Sequence, residues 1–104
     1  DFVQRYAAKF GPDKPINAIG EATYAATWLY AKAVAKADST DDEKVIAAIS
    51  QVEHDAPEGR VNISAENNHM LCNSFLARVT EQPNFEIVKG YGQIPPVVPG
   101  CKLS

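Results

Sequence analysis

Apolar residues recur along this chain with a helical period in its first half and a period of two in its second. Phe2, Val3, Tyr6 and Phe10 share one face at helical spacing, with Gln4, Arg5 and Lys9 turned away, and Gly11 and Pro12 end this short amphipathic helix. The next stretch, NAIGEATYAATWLYAKAVAKA, is alanine-rich and free of proline, which predicts a long helix with Asn17 as its N-cap. Ile19, Ala22, Ala26, Leu29, Ala33 and Val34 form the predicted buried stripe, and Tyr24, Trp28 and Tyr30 widen it until mid-helix carries little polar surface. A helix apolar nearly all round is expected to be covered on more than one side. Lys32 and Lys36 suit the negative end of its dipole. A third helix begins in the acidic run STDDE, where Thr40 and Glu43 have capping-box spacing, and its predicted buried face is Val45, Ile46, Ala48, Ile49 and Val52.

From Pro57 the period changes to two. Val61 and Ile63 alternate with Arg60, Asn62 and Ser64; Leu71, Phe75, Ala77 and Val79 make a second run; Phe85 and Ile87 begin a third. The connections AENNH and EQPN are short and rich in turn formers, so the three strands are expected to form an antiparallel meander. The final stretch GYGQIPPVVPGCKLS, with its glycines and prolines, is expected to be irregular. The reading is therefore α/β: a helical part over 1–55, a β part over 56–90 and an irregular tail over 91–104, with no internal repeat. The all-round apolar second helix fits an interior layer, packed against a sheet this stretch does not itself supply.

At 104 residues and 45% hydrophobic content the chain has the makings of one ordinary folded unit, not a disordered tail. Its net charge of −3, with ten basic residues scattered singly, offers no patch for phosphates, which argues against nucleic acid and against an anionic membrane surface. No apolar stretch approaches the roughly 20 residues of a membrane span, and DFVQRYAAKF lacks the pattern of a secretory signal. The chain opens on Asp1 with residues already in helical register, and a longer parent protein is expected.

The candidate chemistry is sparse. Glu53, His54 and Asp55 adjoin, and His69 stands three residues before Cys72, but a zinc site needs three or four ligands at restrained spacing and no Cys-x-x-Cys or His-x-x-x-His occurs. No metal and no cofactor is expected. Cys72 sits mid-strand, away from the electropositive surroundings a nucleophilic thiol requires, and the nucleotide-binding and hydrolase signatures are missing, so an enzyme using His54 or His69 is the least favoured class. Cys72 and Cys101 leave two readings open: a disulfide closing a loop and adding about 3 to 4 kcal/mol in an oxidising compartment, or two buried thiols. Asn62-Ile63-Ser64 satisfies the glycosylation pattern, as many tripeptides do. Glu21, a carboxylate near the start of an apolar helix, either complements the dipole or faces a buried ligand.

The succession FVQRYAAKFG, INAIGEATYAATWLYAKAVAKA, STDDEKVIAAI, DAPEGRVNISAENNHM and FEIV resembles the C-terminal portion of type I periplasmic solute-binding proteins, the receptors of the branched-chain amino acid ABC transporter family. The Glu-Ala-x-Tyr at Glu21 to Tyr24, the Ala-Pro-x-Gly-x-Val at Ala56 to Val61 and the Asn-Asn-His at Asn67 to His69 are most like the urea and short-chain amide branch, which includes an amide-sensing negative regulator. The Ile94-Pro95-Pro96-Val97 ending departs from that branch. The resemblance implies one part of a two-lobed receptor, a small polar solute (amide, urea or amino acid) held at the interlobe cleft, and Ile19, Glu21 and Tyr24 at the pocket edge. It implies no catalysis, with the remainder of the parent chain or a second copy, and an ABC permease, as partners. The implied location is periplasmic, or cytoplasmic for a regulator, and Asn-Asn-His is implied to be a strand-connecting turn. The alternative from a different class is a small autonomous α+β module that docks a partner protein.

Overall fold

The computed structural model describes residues 1–81 and 85–96. Three helices, α1 (Phe2–Phe10), α2 (Ala18–Ala37) and α3 (Asp42–Ile49), precede four strands, β1 (Glu53–Ala56), β2 (Gly59–Ile63), β3 (Met70–Val79) and β4 (Phe85–Ile94). The strands form an antiparallel meander in the order β1-β2-β3-β4. Helices followed by an antiparallel sheet is the α/β order the sequence indicates, with one strand more than the periodicity shows. Strand β1 reads EHDA, so its two inward positions are His54 and Ala56, and no apolar alternation marks it.

Helix α2 organises the core. Asn17 caps it by accepting the Gly20 N–H at 2.9 Å, as its place in the sequence suggests. The helix ends at Asp38, whose φ of 47° lies in the left-handed region, with the Asp38 N–H donating to the Val34 carbonyl. Its buried stripe is Ala25, Leu29 and Ala33, one residue per turn. The N-terminal half of this stripe packs with Val61, Val52, Ala56, Ile63 and Met70; the C-terminal half packs with Val45, Ala48 and Ile49 of α3. Leu29 and Val61 are the largest fully buried side chains, each contributing roughly 1.5–3 kcal/mol. The predicted stripe is thus corrected: Ile19 is 77% exposed and Ala26 is exposed, because the partners Val61 and Val45 lie on the neighbouring face.

Two further expectations are corrected. Helix α3 is capped by Asp41, which accepts the Lys44 N–H at 3.2 Å, rather than by Thr40, and Ile46 stays exposed. Strand β4 runs on through Tyr91 to Ile94, residues expected to be irregular. Its glycines allow this without a flat ladder: the β3–β4 register shifts between Ser74 and Phe75 and again between Leu76 and Ala77, and Gly92 takes a φ of 73°.

Strand β3 leaves β2 almost at once. The two pair only through Asn62 with Leu71 and Ile63 with Met70. Where the ladder opens, side-chain amides span the gap: Asn73 Nδ2 and Gln93 Nε2 both donate to the Arg60 carbonyl, at 2.9 and 2.8 Å, and Gln93 also reaches Asn62 Oδ1. Beyond that point β3 and β4 continue as a two-stranded ribbon with large apolar residues exposed on it, Val79 at 72% and Phe85 at 70% among them. The chain is accordingly flat, 20 Å in its thinnest extent, with a radius of gyration of 16.2 Å where a compact domain of this length has about 13 Å.

Candidate functional site

The half-buried polar groups meet where the start of α2 faces the β1–β2 hairpin. The hairpin turns through Pro57 and Glu58, and Gly59 follows with a φ of 118°, a conformation open to glycine and little else. A side chain at position 59 would also stand 3.0 Å from Asn73 Nδ2. This turn brings Glu58 toward Glu21 in the first turn of α2, and β3 brings Cys72 beside both. Buried Oε1 atoms of Glu21 and Glu58 have no hydrogen-bond partner among the described residues.

Electrostatics follow from that placement. Burial, then the Glu58 charge, raises the Glu21 carboxyl above its ordinary pKa, and the backbone amide of Glu58 offsets part of the rise. Burial also raises the Cys72 thiol, helped by the nearby charges of Glu58 and Glu21. A thiol held protonated donates to the Met70 carbonyl at 3.7 Å and is a poor nucleophile. Cys101 lies outside the described residues, and with it the Cys72–Cys101 pairing.

One turn further along α2 the surroundings become aromatic. Tyr24 packs against Phe2 with ring centroids 4.6 Å apart, and His54 of β1 sits 6.0 Å from Tyr24 and stacks on Trp28 at 5.6 Å and 17°. Burial lowers the His54 pKa below its ordinary value, Lys32 lowers it further, and Asp55 partly restores it. His54 Nε2 is buried without a hydrogen-bond partner among the described residues. Lys32 donates to the Glu53 carbonyl at 2.6 Å, which fastens α2 to β1. On the opposite, exposed face of the hairpin Arg60 pairs with Asp55 at 3.0 Å and Glu53 at 3.3 Å, so Glu53 and Asp55 do not join His54 in one site.

Of the residues singled out from sequence, Glu21 and Tyr24 are half-buried on the hairpin side of α2, while Ile19 projects from its first turn. Glu58 and His54 join them, and only the sheet topology reveals it. Among the described residues no group of three or more His, Cys, Asp or Glu side chains is placed to hold a metal ion. Asn-Asn-His is a hydrogen-bonded turn: Asn67 Oδ1 accepts the His69 N–H at 3.1 Å, Asn68 N–H donates to Ser64, Asn68 has a φ of 57°, and the Ser64 N–H closes onto the His69 carbonyl at 2.8 Å. His69 is exposed.

A family profile described as a periplasmic binding protein domain matches residues 1–99. No curated protein gives a significant match.

Proposed function

The chain belongs to the periplasmic binding protein family, and from that premise we propose that it supplies one wall of a cleft that closes on a small polar solute of the amide, urea or amino acid type. Members of the family are generally binding proteins rather than enzymes, and no reaction is proposed. The observation that carries the assignment of the wall is Glu21: a half-buried carboxyl at a helix start, with a buried Oε1 that has no hydrogen-bond partner among the described residues. An amide, urea or ammonium group donates N–H bonds of the kind that oxygen lacks. Tyr24 supplies ring surface beside it, and Ile19 an apolar contact for the opposing lobe. Closure follows from tighter binding to the closed state, with the solute's hydrogen bonds completed only there.

The exposed faces support a larger receptor around this wall. Trp28 is 46% exposed on α2, and the β3–β4 ribbon presents Phe75, Leu76, Ile87, Val88 and Tyr91 to solvent. In the proposed assembly the remainder of the receptor polypeptide covers them and either delivers solute, outside the cytoplasm, to an ABC permease or, in a cytoplasmic regulator, reports its presence. No helix among the described residues is long and apolar enough to cross a membrane.

The test is calorimetric titration of urea, acetamide and leucine against the receptor that carries this chain. At least one should bind, and Glu21→Gln should weaken it roughly tenfold, the worth of a hydrogen bond to a charged group. Binding indifferent to Glu21→Gln, Ile19→Ala and Tyr24→Phe together would overturn the assignment of this wall. The autonomous-module alternative is separated by sedimentation: it requires a monodisperse, stable monomer for the isolated 104-residue chain.

A further inference from the structure

A concavity lies between α1 and α2, with Tyr24 of the proposed wall on its rim. Its volume is about 420 Å³, within the range of roughly 300–1,000 Å³ common for small-molecule sites. Its walls are rings: Phe2 lies 4.6 Å from Tyr24, and Tyr6 4.7 Å from Phe10, centroid to centroid. The charged residues lining it are Arg5 and Lys9, four positions apart and therefore on one face of α1. Both are cations, in a chain with 13 acidic and 10 basic residues, so this hollow runs against the overall charge.

Neither cation is firmly engaged. Arg5 Nε is 3.4 Å from Asp1 Oδ2 in a pair whose side chains are 66% and 83% exposed, an arrangement that holds little energy and exchanges readily. Lys9 Nζ stands 5.5 Å from the Phe10 ring centroid. Gly20 adds a second feature. It lies inside the first turns of α2, where alanine favours the helix by roughly 1 kcal/mol, yet a Cβ there would come 3.0 Å from Ile16 Cγ1. Ile16 lines the same concavity, so a side chain at position 20 would displace part of its wall by a few tenths of an ångström.

We propose that this α1–α2 concavity binds a small organic anion with an aromatic or branched aliphatic body, the body resting on the rings and the carboxylate bridging Arg5 and Lys9. The site shares Tyr24 with the proposed cleft wall but takes its charge from Arg5 and Lys9 instead of Glu21, so its failure would leave the Glu21 reading standing. The experiment is an amide chemical-shift titration of the 104-residue chain with 3-phenylpropionate, 3-phenylpropan-1-ol and 3-phenylpropylamine. The carboxylate should give saturable shifts at Arg5, Tyr6, Gly20 and Tyr24. The alcohol should bind roughly tenfold more weakly and the amine more weakly still. Arg5→Gln with Lys9→Gln, both at exposed positions, should bring the carboxylate down to the alcohol's affinity. Gly20→Ala should weaken binding without lowering the melting temperature, a combination that a purely structural role for Gly20 does not give. Equal affinity for the three probes, shifts confined to other amides, no saturation by about 10 mM carboxylate, or an unchanged double variant would each overturn the proposal.

Discussion

At the scale of single residues, Glu21 and His54 are two half-buried titratable groups with opposite consequences for stability. The folded chain holds the Glu21 proton more tightly than the unfolded chain, whose carboxyl titrates near 4.5. Stability associated with this group is therefore present below that value and is lost as pH rises through the raised folded pKa. Glu21→Gln removes the loss and offers Glu58 an N–H donor. The variant should melt above the wild type at pH 7 and converge with it near pH 4, measured by circular dichroism; an equal or lower melting point at pH 7 would contradict the burial argument. His54 has the opposite sign. Its folded pKa lies below the ordinary 6.5, so its contribution is present above that value and is lost as pH falls through the window beneath it. Lys32 and Asp55 act on it through their charges, and Tyr24 and Trp28 through ring contact. Because Trp28 is the chain's one tryptophan and stacks on His54, its emission should step as the imidazole gains charge at a midpoint below 6.5. His54→Gln should flatten that step; its persistence in the variant would assign the change elsewhere.

At the scale of elements, stability is concentrated where α2 meets both neighbours. Leu29→Ala leaves a cavity facing Val61 and should cost about 2–5 kcal/mol, whereas Ile19→Ala, at an exposed position, should change stability by less than about 0.5 kcal/mol. Urea denaturation checks both, and comparable losses would restore Ile19 to the core. That contrast also shows how far an element can be read without coordinates. Alanine content, the absence of proline and Asn17 locate α2 closely, since each acts through local backbone physics. Its buried face is displaced in the reading because alanines surround the helix, and the choice among them belongs to Val61 and Val45, which are distant in sequence. Strand β1 is illegible for a related reason: His54 takes an inward position that periodicity reserves for apolar residues. Glu58 is hidden until β1 is known, because without that strand the Pro57–Gly59 segment has no hairpin to turn. The Asn67–His69 turn was legible, since asparagines and short loops carry their own geometry.

At the scale of the whole molecule, the β3–β4 ribbon decides what kind of object the chain is. A two-stranded ribbon with solvent on both faces is marginally stable in water, because no layer covers the side chains its hydrogen bonds align. Here β2 supports β3 only through residues 70 and 71, and the Asn73 and Gln93 amides end that support. Residues 75–79 and 85–89 lie beyond it, exposed, whereas Ala25, Leu29 and Ala33 are fully buried. Local opening should therefore be cheap in the ribbon and approach global unfolding in α2. In the isolated chain, amide hydrogen exchange should be faster at 75–79 and 85–89 than at 25–33 by orders of magnitude. Inside a complete receptor the same ribbon amides should become protected while those of α2 change little, since only the ribbon gains a covering layer. Ribbon amides as slow as those of α2 in the isolated chain would mean that this surface is stable by itself. The exposed apolar residues would then give no support to a receptor built around the chain.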